Sequence, residues 1–248
     1  MAAKVFLIGA GPGDPELITL KAINALRACE VILLDDLVNR ALLIHAPQAR
    51  VIEVGKRGGC KSTPQHFINR LMVRLAKQGR TVARLKGGDP FMFGRGGEEM
   101  LALREAGISV EIIPGITSGI AAPAALGIPV THRGFTHGVT FVTGHTQHGD
   151  SPDWAALAAS GTTLAIYMGM QNLDSIVDQL LAAGLRADMP AAAVQNGTLD
   201  GERHVVCALQ DLPREVARQG LASPAIVVVG EVARLAHGVG TTALRAAA

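Results

Sequence analysis

Short apolar runs alternate with amphipathic stretches over the first half of this chain, and this alternation constrains its fold more than any other feature. The first run covers residues 4–8 and ends at Gly9, and an amphipathic pattern follows over residues 16–28. Short apolar runs are typical of buried strands, whereas apolar positions three or four residues apart are typical of helices. Strands that alternate with helices at this spacing predict a mostly parallel sheet with crossover connections.

The same patterns predict further elements along the rest of the chain. Strands are predicted over residues 31–34, 51–54, 81–85, 110–113, 138–143, 163–167, 191–195 and 225–229, and helices over 64–78, 94–106, 173–183 and 209–219. Between the two halves, residues 116–132 contain no Asp, Glu, Lys or Arg and are interrupted by prolines. We therefore expect an α/β fold with an N-terminal domain over 1–114, a C-terminal domain over 115–240 and a frayed tail over 241–248.

Composition excludes several classes of function. The formal net charge of +2 is too small to make a polyanion-binding surface by itself, although local clusters of charge can still matter. Aromatic residues make up 3% of the chain, so the stacking platforms of single-strand nucleic-acid binders are nearly absent. The three cysteines have no C-x-x-C spacing, and His145-x-x-His148 and His204-x-x-Cys207 supply two ligands each, which disfavours a disulfide framework and a metal site. We expect a cytoplasmic protein without a signal peptide and without metal, nucleic-acid or membrane partners.

The loop after the first strand, Gly9-Ala10-Gly11-Pro12-Gly13-Asp14-Pro15, is partly similar to a dinucleotide-binding turn. In that turn the third glycine allows the helix to pack tightly on the strand, but Asp14 stands at its position here. Pro12 and Pro15 also remove amide donors that a pyrophosphate would need. A nicotinamide or flavin site and a tight turn without a ligand both remain as interpretations.

The stretch from Arg84 to Glu99, RLKGGDPFMFGRGGEE, is the most unusual part of the sequence. It leaves a predicted strand end, where ligands of open α/β sheets bind. Gly87 and Gly88 allow a ligand to approach the backbone closely, and Asp89 can accept hydrogen bonds from ribose hydroxyls. The alternative is a solvated glycine-rich loop, although three consecutive large apolar residues are unusual for one.

Seven segments of the chain together form a specific signature. They are Gly9-x-Gly11-x-Gly13-Asp14-Pro15, Gly55-Lys56-Arg57, the 84–99 stretch, Pro114-Gly115-Ile116-Thr117-Ser118, Thr131-His132-Arg133, Tyr167-Met168-Gly169 and Asn196-Gly197-Thr198. With these segments in this order, the chain resembles the tetrapyrrole methylase superfamily over residues 4–236. Each segment alone is a weak signal, whereas the combination is highly specific.

The resemblance implies two α/β domains with an active-site cleft between them, and assembly as a homodimer. It implies S-adenosylmethionine as methyl donor, with S-adenosylhomocysteine as the product. The implied reaction is C-methylation of uroporphyrinogen III, twice in succession, to precorrin-2, which feeds sirohaem, cobalamin or haem d1. An electron-rich pyrrole carbon can attack a sulfonium methyl directly, so this chemistry needs alignment more than a protein nucleophile.

The resemblance also implies roles for individual residues. Asp35 is the implied proton acceptor and Lys56 the implied proton donor, although without the resemblance a loop carboxylate and a solvated cation explain them equally well. We include Arg95 and Glu98 among the catalytic candidates because they lie within the matched 84–99 segment. A plain salt bridge between residues three apart on a helix is the competing interpretation of that pair.

The resemblance also implies which residues contact the substrate and the methyl donor. Because uroporphyrinogen III is a polycarboxylate, we expect Arg57, Arg95 and Arg133 to bind it, since arginine can hold a carboxylate through two parallel hydrogen bonds. The implied donor contacts are Pro12, Gly87, Gly88, Asp89, Met92, Thr117, Ser118, Met168, Gly197 and Ala225.

Other functions stay open on the sequence alone. Within the superfamily, the substrate could be a later corrin precursor or, more distantly, a protein or ribosomal RNA. Outside it, a dinucleotide-binding oxidoreductase and a catalytically silent ligand sensor are the alternatives. Calorimetry with S-adenosylhomocysteine, NAD and FAD separates the donor-binding classes.

Overall fold

Two sheets organise the chain, one in each of two units that divide between Thr117 and Ser118. The structure is a computed structural model, and it describes residues 4–55, 63–145 and 151–237. The sequence pattern placed the domain boundary after residue 114, slightly before this division.

Five parallel strands form the sheet of the first unit, in the order β3-β2-β4-β1-β5. The strands are β1 (Lys4–Gly9), β2 (Val31–Leu34), β3 (Arg50–Glu53), β4 (Val82–Lys86) and β5 (Ser109–Ile113), and the helices are α1 (Leu20–Ala28), α2 (Gln65–Lys77) and α3 (Gly96–Glu105). The parallel sheet expected from the alternating pattern is confirmed for this half of the chain.

The first helix begins later than the sequence pattern predicted. Residues Pro15–Leu17 form a separate 3-10 turn, because the Asp14 carboxylate accepts a hydrogen bond from the Glu16 amide at 2.8 Å. The Thr19 hydroxyl then accepts a hydrogen bond from the Ala22 amide at 3.2 Å and starts α1. Asp and Thr side chains cap free amides in this way at helix starts, so one amphipathic pattern became two elements.

Apolar layers cover both faces of the first sheet. Leu85 of β4 belongs to the same buried layer as Leu26 of α1. Val82 of the same strand belongs to the opposite layer, with Leu71 of α2 and Leu103 of α3. Successive side chains of β4 therefore serve different layers, as the alternation of a strand requires.

The second sheet is mixed, unlike the first. Its strands are β6 (Val139–Thr143), β7 (Thr163–Tyr167), β8 (Pro190–Gln195), β9 (Arg203–Ala208) and β10 (Ala225–Val229), in the order β6-β7-β10-β8-β9. Only β6 and β7 pair in parallel, whereas β10 pairs antiparallel with β7 and β8, and β9 pairs antiparallel with β8. The mostly parallel arrangement expected for the first half of the chain therefore does not extend to this half.

One strand and two α-helices described in the second unit were absent from the sequence prediction. They are β9, α4 (Ser118–Ala125) and α5 (Trp154–Ala159), which accompany the predicted helices α6 (Leu173–Ala182) and α7 (Leu212–Gln219). The edge strand β9 begins with exposed polar residues, α4 contains Pro123, and α5 has six residues, so each lacks a clear periodic pattern. Over the described ranges, no helix has the length and apolarity needed to cross a membrane.

Candidate active site

The carboxyl ends of β1 and β4 lie side by side in the first sheet. The chain leaves β1 towards β2, whereas it leaves the adjacent β4 in the opposite direction, towards β5, so the two connections pass each other on opposite faces of the sheet. Ligands of open α/β sheets bind outside the carboxyl ends of the strands. The loops that follow β1 and β4 therefore form the candidate site of the first unit.

A glycine bridge joins these two loops. The Gly11 amide donates to the Gly88 carbonyl at 3.2 Å, and the Gly88 amide donates to the Gly11 carbonyl at 2.7 Å. Gly11 has φ +81° and Gly88 φ +65°, a region that glycine enters without steric penalty. The bridge fixes Pro12 and Gly87, two predicted donor contacts, next to each other along the edge.

The loop after β5 packs against the glycine bridge. A Cβ on Gly115 would lie 2.3 Å from the Gly88 carbonyl oxygen, and one on Gly9 would lie 2.5 Å from the Gly115 amide nitrogen. Asp89 reinforces this contact, because its Oδ2 accepts from the Gly115 amide at 3.1 Å and its Oδ1 from the Phe91 amide at 2.8 Å. The Asp89 carboxylate thus organises two loops, and its contact with a ribose stays a prediction.

Large apolar side chains are exposed around this edge. Leu37, Phe91, Phe93 and Ile116 follow β2, β4 and β5, and each remains exposed. The candidate contact Met92 is half-buried in the same loop, and Thr117 at the end of the unit is buried. Exposed apolar groups that cluster at a polar loop edge are typical of a ligand-binding surface.

The second unit also gathers its predicted donor contacts at one sheet edge. Met168 follows the carboxyl end of β7, and Gly197 follows the carboxyl end of β8. Ala225 begins the antiparallel strand β10 and pairs with Gln195, so it lies at the same edge. Ser118 begins α4, whose next amide, that of Gly119, donates to the Tyr167 hydroxyl at 2.7 Å.

Among the described residues, five other than glycine have a positive φ, and all of them fall in the signature segments. They are Phe93, Arg95, Met168, Asn196 and Thr198, with φ between 52° and 72°. Side chains larger than glycine are strained in this region, and such strain clusters at active and ligand-binding sites. The signature segments, which were identified from the sequence for other reasons, therefore contain these strained backbone positions.

Asp35 lies at the carboxyl end of β2, beside a group of buried charges. Its Oδ2 is 3.3 Å from the Arg84 guanidinium and 3.8 Å from Lys86 Nζ. On the far side, Arg84 Nε donates to Glu99 Oε1 at 2.9 Å, and Lys86 Nζ lies 3.4 Å from Glu99 Oε2. We call Asp35, Arg84, Lys86 and Glu99 the buried ion cluster; its formal charges sum to zero.

Burial sets the electrostatics of this cluster. The Arg84, Lys86 and Glu99 side chains are 2%, 4% and 0% exposed, whereas that of Asp35 is 32% exposed. Burial, together with the neighbouring charge of Arg84, lowers the pKa of Lys86, while Glu99 and Asp35 oppose this shift. Charges placed in a core are retained only with close partners, and each cation here contacts both carboxylates.

The sequence pattern alone did not indicate Arg84, Lys86 or Glu99 as functional candidates. Arg84 and Lys86 are two residues apart on the fully buried strand β4. They continue the row of side chains that begins with Val82 and faces the apolar layer of α2 and α3. Charged residues that alternate along an otherwise apolar strand are the signal that would have identified them. Glu99 carries a weaker signal, because Glu98 beside it has the same side chain and is exposed.

Two of the predicted substrate arginines, Arg95 and Arg133, are exposed. Arg95 donates to Glu98 through Nε at 2.8 Å and through Nη2 at 2.7 Å, which is the salt bridge that the sequence analysis gave as the alternative interpretation. This hydrogen bond lowers the pKa of Glu98 and raises that of Arg95. Arg133 lies in an exposed turn of the second unit. Lys56 and Arg57 lie outside the described residues.

Metal-binding groups and reactive thiols are the other sites that we considered. Within residues 4–55, 63–145 and 151–237, no group of three or more His, Cys, Asp or Glu side chains is arranged to hold a metal ion. Burial raises the pKa of Cys29 and that of Cys207 to about 12. Thiols with so high a pKa are poor nucleophiles, so neither of these two cysteines is a candidate nucleophile; Cys60 lies outside the described residues.

Both sheet edges carry the motifs of one family. The family model for Tetrapyrrole (Corrin/Porphyrin) Methylases matches residues 4–213, so the chain belongs to the tetrapyrrole methylase family. The chain is 55% identical over 234 residues to the uroporphyrinogen-III C-methyltransferase of Pseudomonas aeruginosa, covering 94% of this chain and 96% of that protein. It is 47% identical over 232 residues to the enzyme of the same name from Bacillus subtilis, covering 92% and 90%.

Solved structures agree with the sequence relatives. The chain is similar to the uroporphyrin-III C-methyltransferase of Thermus thermophilus complexed with S-adenosylhomocysteine, with TM-score 0.81, 39% identity and 93% coverage of both chains. It is also similar to a cobalt precorrin-4 methyltransferase of cobalamin biosynthesis, with TM-score 0.83, 29% identity and coverage of 94% and 96%. The two-unit α/β fold that the resemblance implied is thereby confirmed as the tetrapyrrole methylase fold.

Proposed function

We propose that the protein transfers methyl groups from S-adenosylmethionine to two carbon atoms of uroporphyrinogen III in succession, giving precorrin-2. The observation that carries the proposal is the 55% identity to a uroporphyrinogen-III C-methyltransferase over nearly the full length of both chains. The product feeds sirohaem, cobalamin or haem d1 synthesis. A relative that also matches, the sirohaem synthase of Tolumonas auensis, is about twice as long, since the chain covers 50% of it.

The loop geometry suits the methyl donor. A Cβ on Gly87 would lie 3.0 Å from the Leu37 side chain, so a larger residue would fill the space beside the exposed apolar groups. The residues proposed to contact the donor are Pro12, Gly87, Gly88, Asp89, Met92, Thr117, Ser118, Met168, Gly197 and Ala225. The bound donor supplies an electrophilic methyl group on its sulfonium sulfur.

The protein then has to align a ring carbon and accept a proton. The π electrons of the pyrrole form the new carbon–carbon bond, while the electron pair of the breaking methyl–sulfur bond stays on sulfur. The methylated ring is left with a positive charge and regains neutrality when it loses a proton from carbon. Asp35 is the proposed acceptor of that proton, because its carboxylate is the partly exposed member of the buried ion cluster. Lys56 is the proposed proton donor.

Arginine side chains suit a polycarboxylate substrate. Arg95 and Arg133 are exposed and chemically able to bind carboxylates, and Arg57 is the third cation proposed for this role. Glu98 holds the Arg95 guanidinium in place until a substrate carboxylate competes for it. We also propose a cytoplasmic homodimer, as the resemblance implies; sedimentation velocity of the purified protein at micromolar concentration tests the dimer.

Mass spectrometry tests the reaction directly. Reduced uroporphyrinogen III and S-adenosylmethionine, incubated anaerobically with the protein, should give a product heavier by two methyl increments, through a singly methylated intermediate. A later corrin methylase would add one methyl group to an already methylated ring instead. Donor binding without any methylated product from uroporphyrinogen III would refute the proposed substrate and place the chain in another branch of the family.

Replacing Arg95 separates substrate handling from donor binding. Arg95→Ala should lower turnover at least about tenfold and leave the affinity for S-adenosylhomocysteine unchanged, because only carboxylate contacts are lost. Arg95→Lys should recover little, since a point charge cannot reproduce a two-pronged contact. Arg104→Ala, at another exposed position of α3, is the control. Full activity of the lysine variant would mean that no specific guanidinium contact exists.

A further inference from the structure

The buried ion cluster occupies a place where apolar residues would normally pack. Val31 and Leu33 of β2 and Val82 of β4 belong to the apolar layer beneath α2 and α3. Two residues further along β4, the same inward-facing row continues as Arg84 and then Lys86. Apolar side chains of similar size often stabilise a core as well as, or better than, a buried ion pair, so stability alone does not explain these charges.

The cluster leads from the core to a single partly exposed carboxylate. Glu99 is fully buried and receives three donors, Arg84 Nε at 2.9 Å, Gln65 Nε2 at 3.0 Å and Lys86 Nζ at 3.4 Å from its Oε1. From this anchor, the guanidinium of Arg84 and the ammonium of Lys86 extend to the same oxygen of Asp35, its Oδ2. The cations therefore connect a fixed buried anion to an anion at the surface.

The remaining contacts of Arg84 and Asp35 fix the geometry of this connection. Arg84 Nη1 lies 3.4 Å from the Leu33 carbonyl oxygen and 3.5 Å from that of Leu85. The Asp35 amide donates to the Leu85 carbonyl at 3.1 Å, and Asp35 Oδ1 accepts from the Asp36 amide at 3.2 Å. Both oxygens of Asp35 and the planar fork of Arg84 are therefore held at once.

We propose that Arg84 and Lys86 are positioning residues for Asp35, which they hold as an oriented carboxylate that accepts the proton released from the methylated ring, with Glu99 as their buried counter-charge. This inference rests on the proposed function and on the proposed role of Asp35. The carbon–hydrogen bond of the ring breaks, its electrons return to the ring π system, and the proton goes to Asp35. The contacts of the two adjacent cations with Oδ2 keep the orientation of the Asp35 carboxylate fixed.

Lys86→Met is the central variant, since it keeps most of the side-chain volume and leaves Arg84 paired with Glu99. It should lower kcat at least about tenfold and change the KM for uroporphyrinogen III and the affinity for S-adenosylhomocysteine by less than about twofold. Arg84→Lys, which keeps the charge and loses the fork, should give the same pattern. Lys77→Met, at an exposed position at the end of α2, is the control and should leave all three quantities unchanged.

A double-mutant cycle distinguishes a role through Asp35 from a general structural role. Methylation is followed by mass spectrometry under single-turnover conditions, so that slow reaction of the Asp35→Asn protein is counted over hours. In that background, Lys86→Met should change the rate by less than about twofold, because the group through which it acts is already gone. An equal loss in both backgrounds, or a kcat unchanged by Lys86→Met in otherwise wild-type protein, would overturn the proposal.

Two further readouts keep the outcome clear. Calorimetric binding of S-adenosylhomocysteine and far-UV circular dichroism show whether each variant is folded. If Lys86→Met fails both measurements, Arg84→Lys takes its place in the double-mutant cycle. Absence of methylated product from the wild-type protein would reject the proposed function itself. Product from the wild-type protein combined with additive losses in the cycle would reject only the positioning role.

Discussion

Gly115→Ala is expected to weaken binding of S-adenosylhomocysteine at least tenfold, about 1.4 kcal/mol. The new Cβ would lie 2.3 Å from the Gly88 carbonyl oxygen and 2.8 Å from backbone atoms of Gly9. Real Cβ atoms do not approach other atoms so closely, and backbone on both sides leaves no flexible side chain to move. The loop after β4 would have to shift, which would break the glycine bridge between Gly88 and Gly11.

A second glycine provides the matched control for this variant. Gly97 lies in the first turn of α3, where a Cβ would meet nothing within 4 Å. Gly97→Ala should leave S-adenosylhomocysteine affinity unchanged and alter the free energy of unfolding by no more than about 1 kcal/mol, towards greater stability. Isothermal titration calorimetry on both purified variants gives the comparison. Wild-type affinity in a folded Gly115→Ala protein would remove this loop contact from the donor site.

The sequence was sufficient for the parallel unit because its strands and helices alternate with distinct periods. Buried runs such as residues 31–34 end at the same edge, so the glycine-rich segments that follow them could be placed together. The mixed sheet was harder to predict from the sequence, because the antiparallel pairing of β9 with β8 depends on contacts between two strands rather than on a local pattern. The direction of a strand depends on the connections between strands, and the alternation of apolar residues within a single strand does not reveal it.

The sequence indicated some candidate site residues and not others, and both outcomes have physical reasons. The family resemblance identified Asp35 and Met168, and the structure places each directly after a strand, as expected for candidate ligand contacts. Glu99 escaped notice because a helix sequence does not reveal which of two adjacent glutamates faces the core. Only packing distinguishes fully buried Glu99 from exposed Glu98. The cations that offset the buried charge of Glu99 are Arg84 and Lys86, and both lie on the strand β4, not on the helix that carries Glu99.

That burial makes Glu99→Leu the most destabilising single change that we expect in the first unit. Removing the Glu99 carboxylate leaves the Arg84 and Lys86 side chains in the core, and Asp35 is then the anion of the cluster that still contacts them. Breaking a buried ion pair by deleting one partner costs about 3–5 kcal/mol, because an uncompensated charge stays buried. Glu105→Leu, an exposed position on the same helix, should change the free energy of unfolding by no more than about 0.5 kcal/mol.

The triple replacement of Arg84 and Lys86 by Met and Glu99 by Leu separates stability from function. It removes every deeply buried charge of the cluster at once, so it should recover most of the free energy of unfolding that Glu99→Leu loses. Urea denaturation, followed by circular dichroism at matched pH and salt, measures both variants. If Asp35 needs the two cations for proton transfer, the triple variant should still bind S-adenosylhomocysteine and yet turn over as slowly as Lys86→Met. A stable triple variant with wild-type turnover would show that the buried charges are needed neither for stability nor for proton transfer.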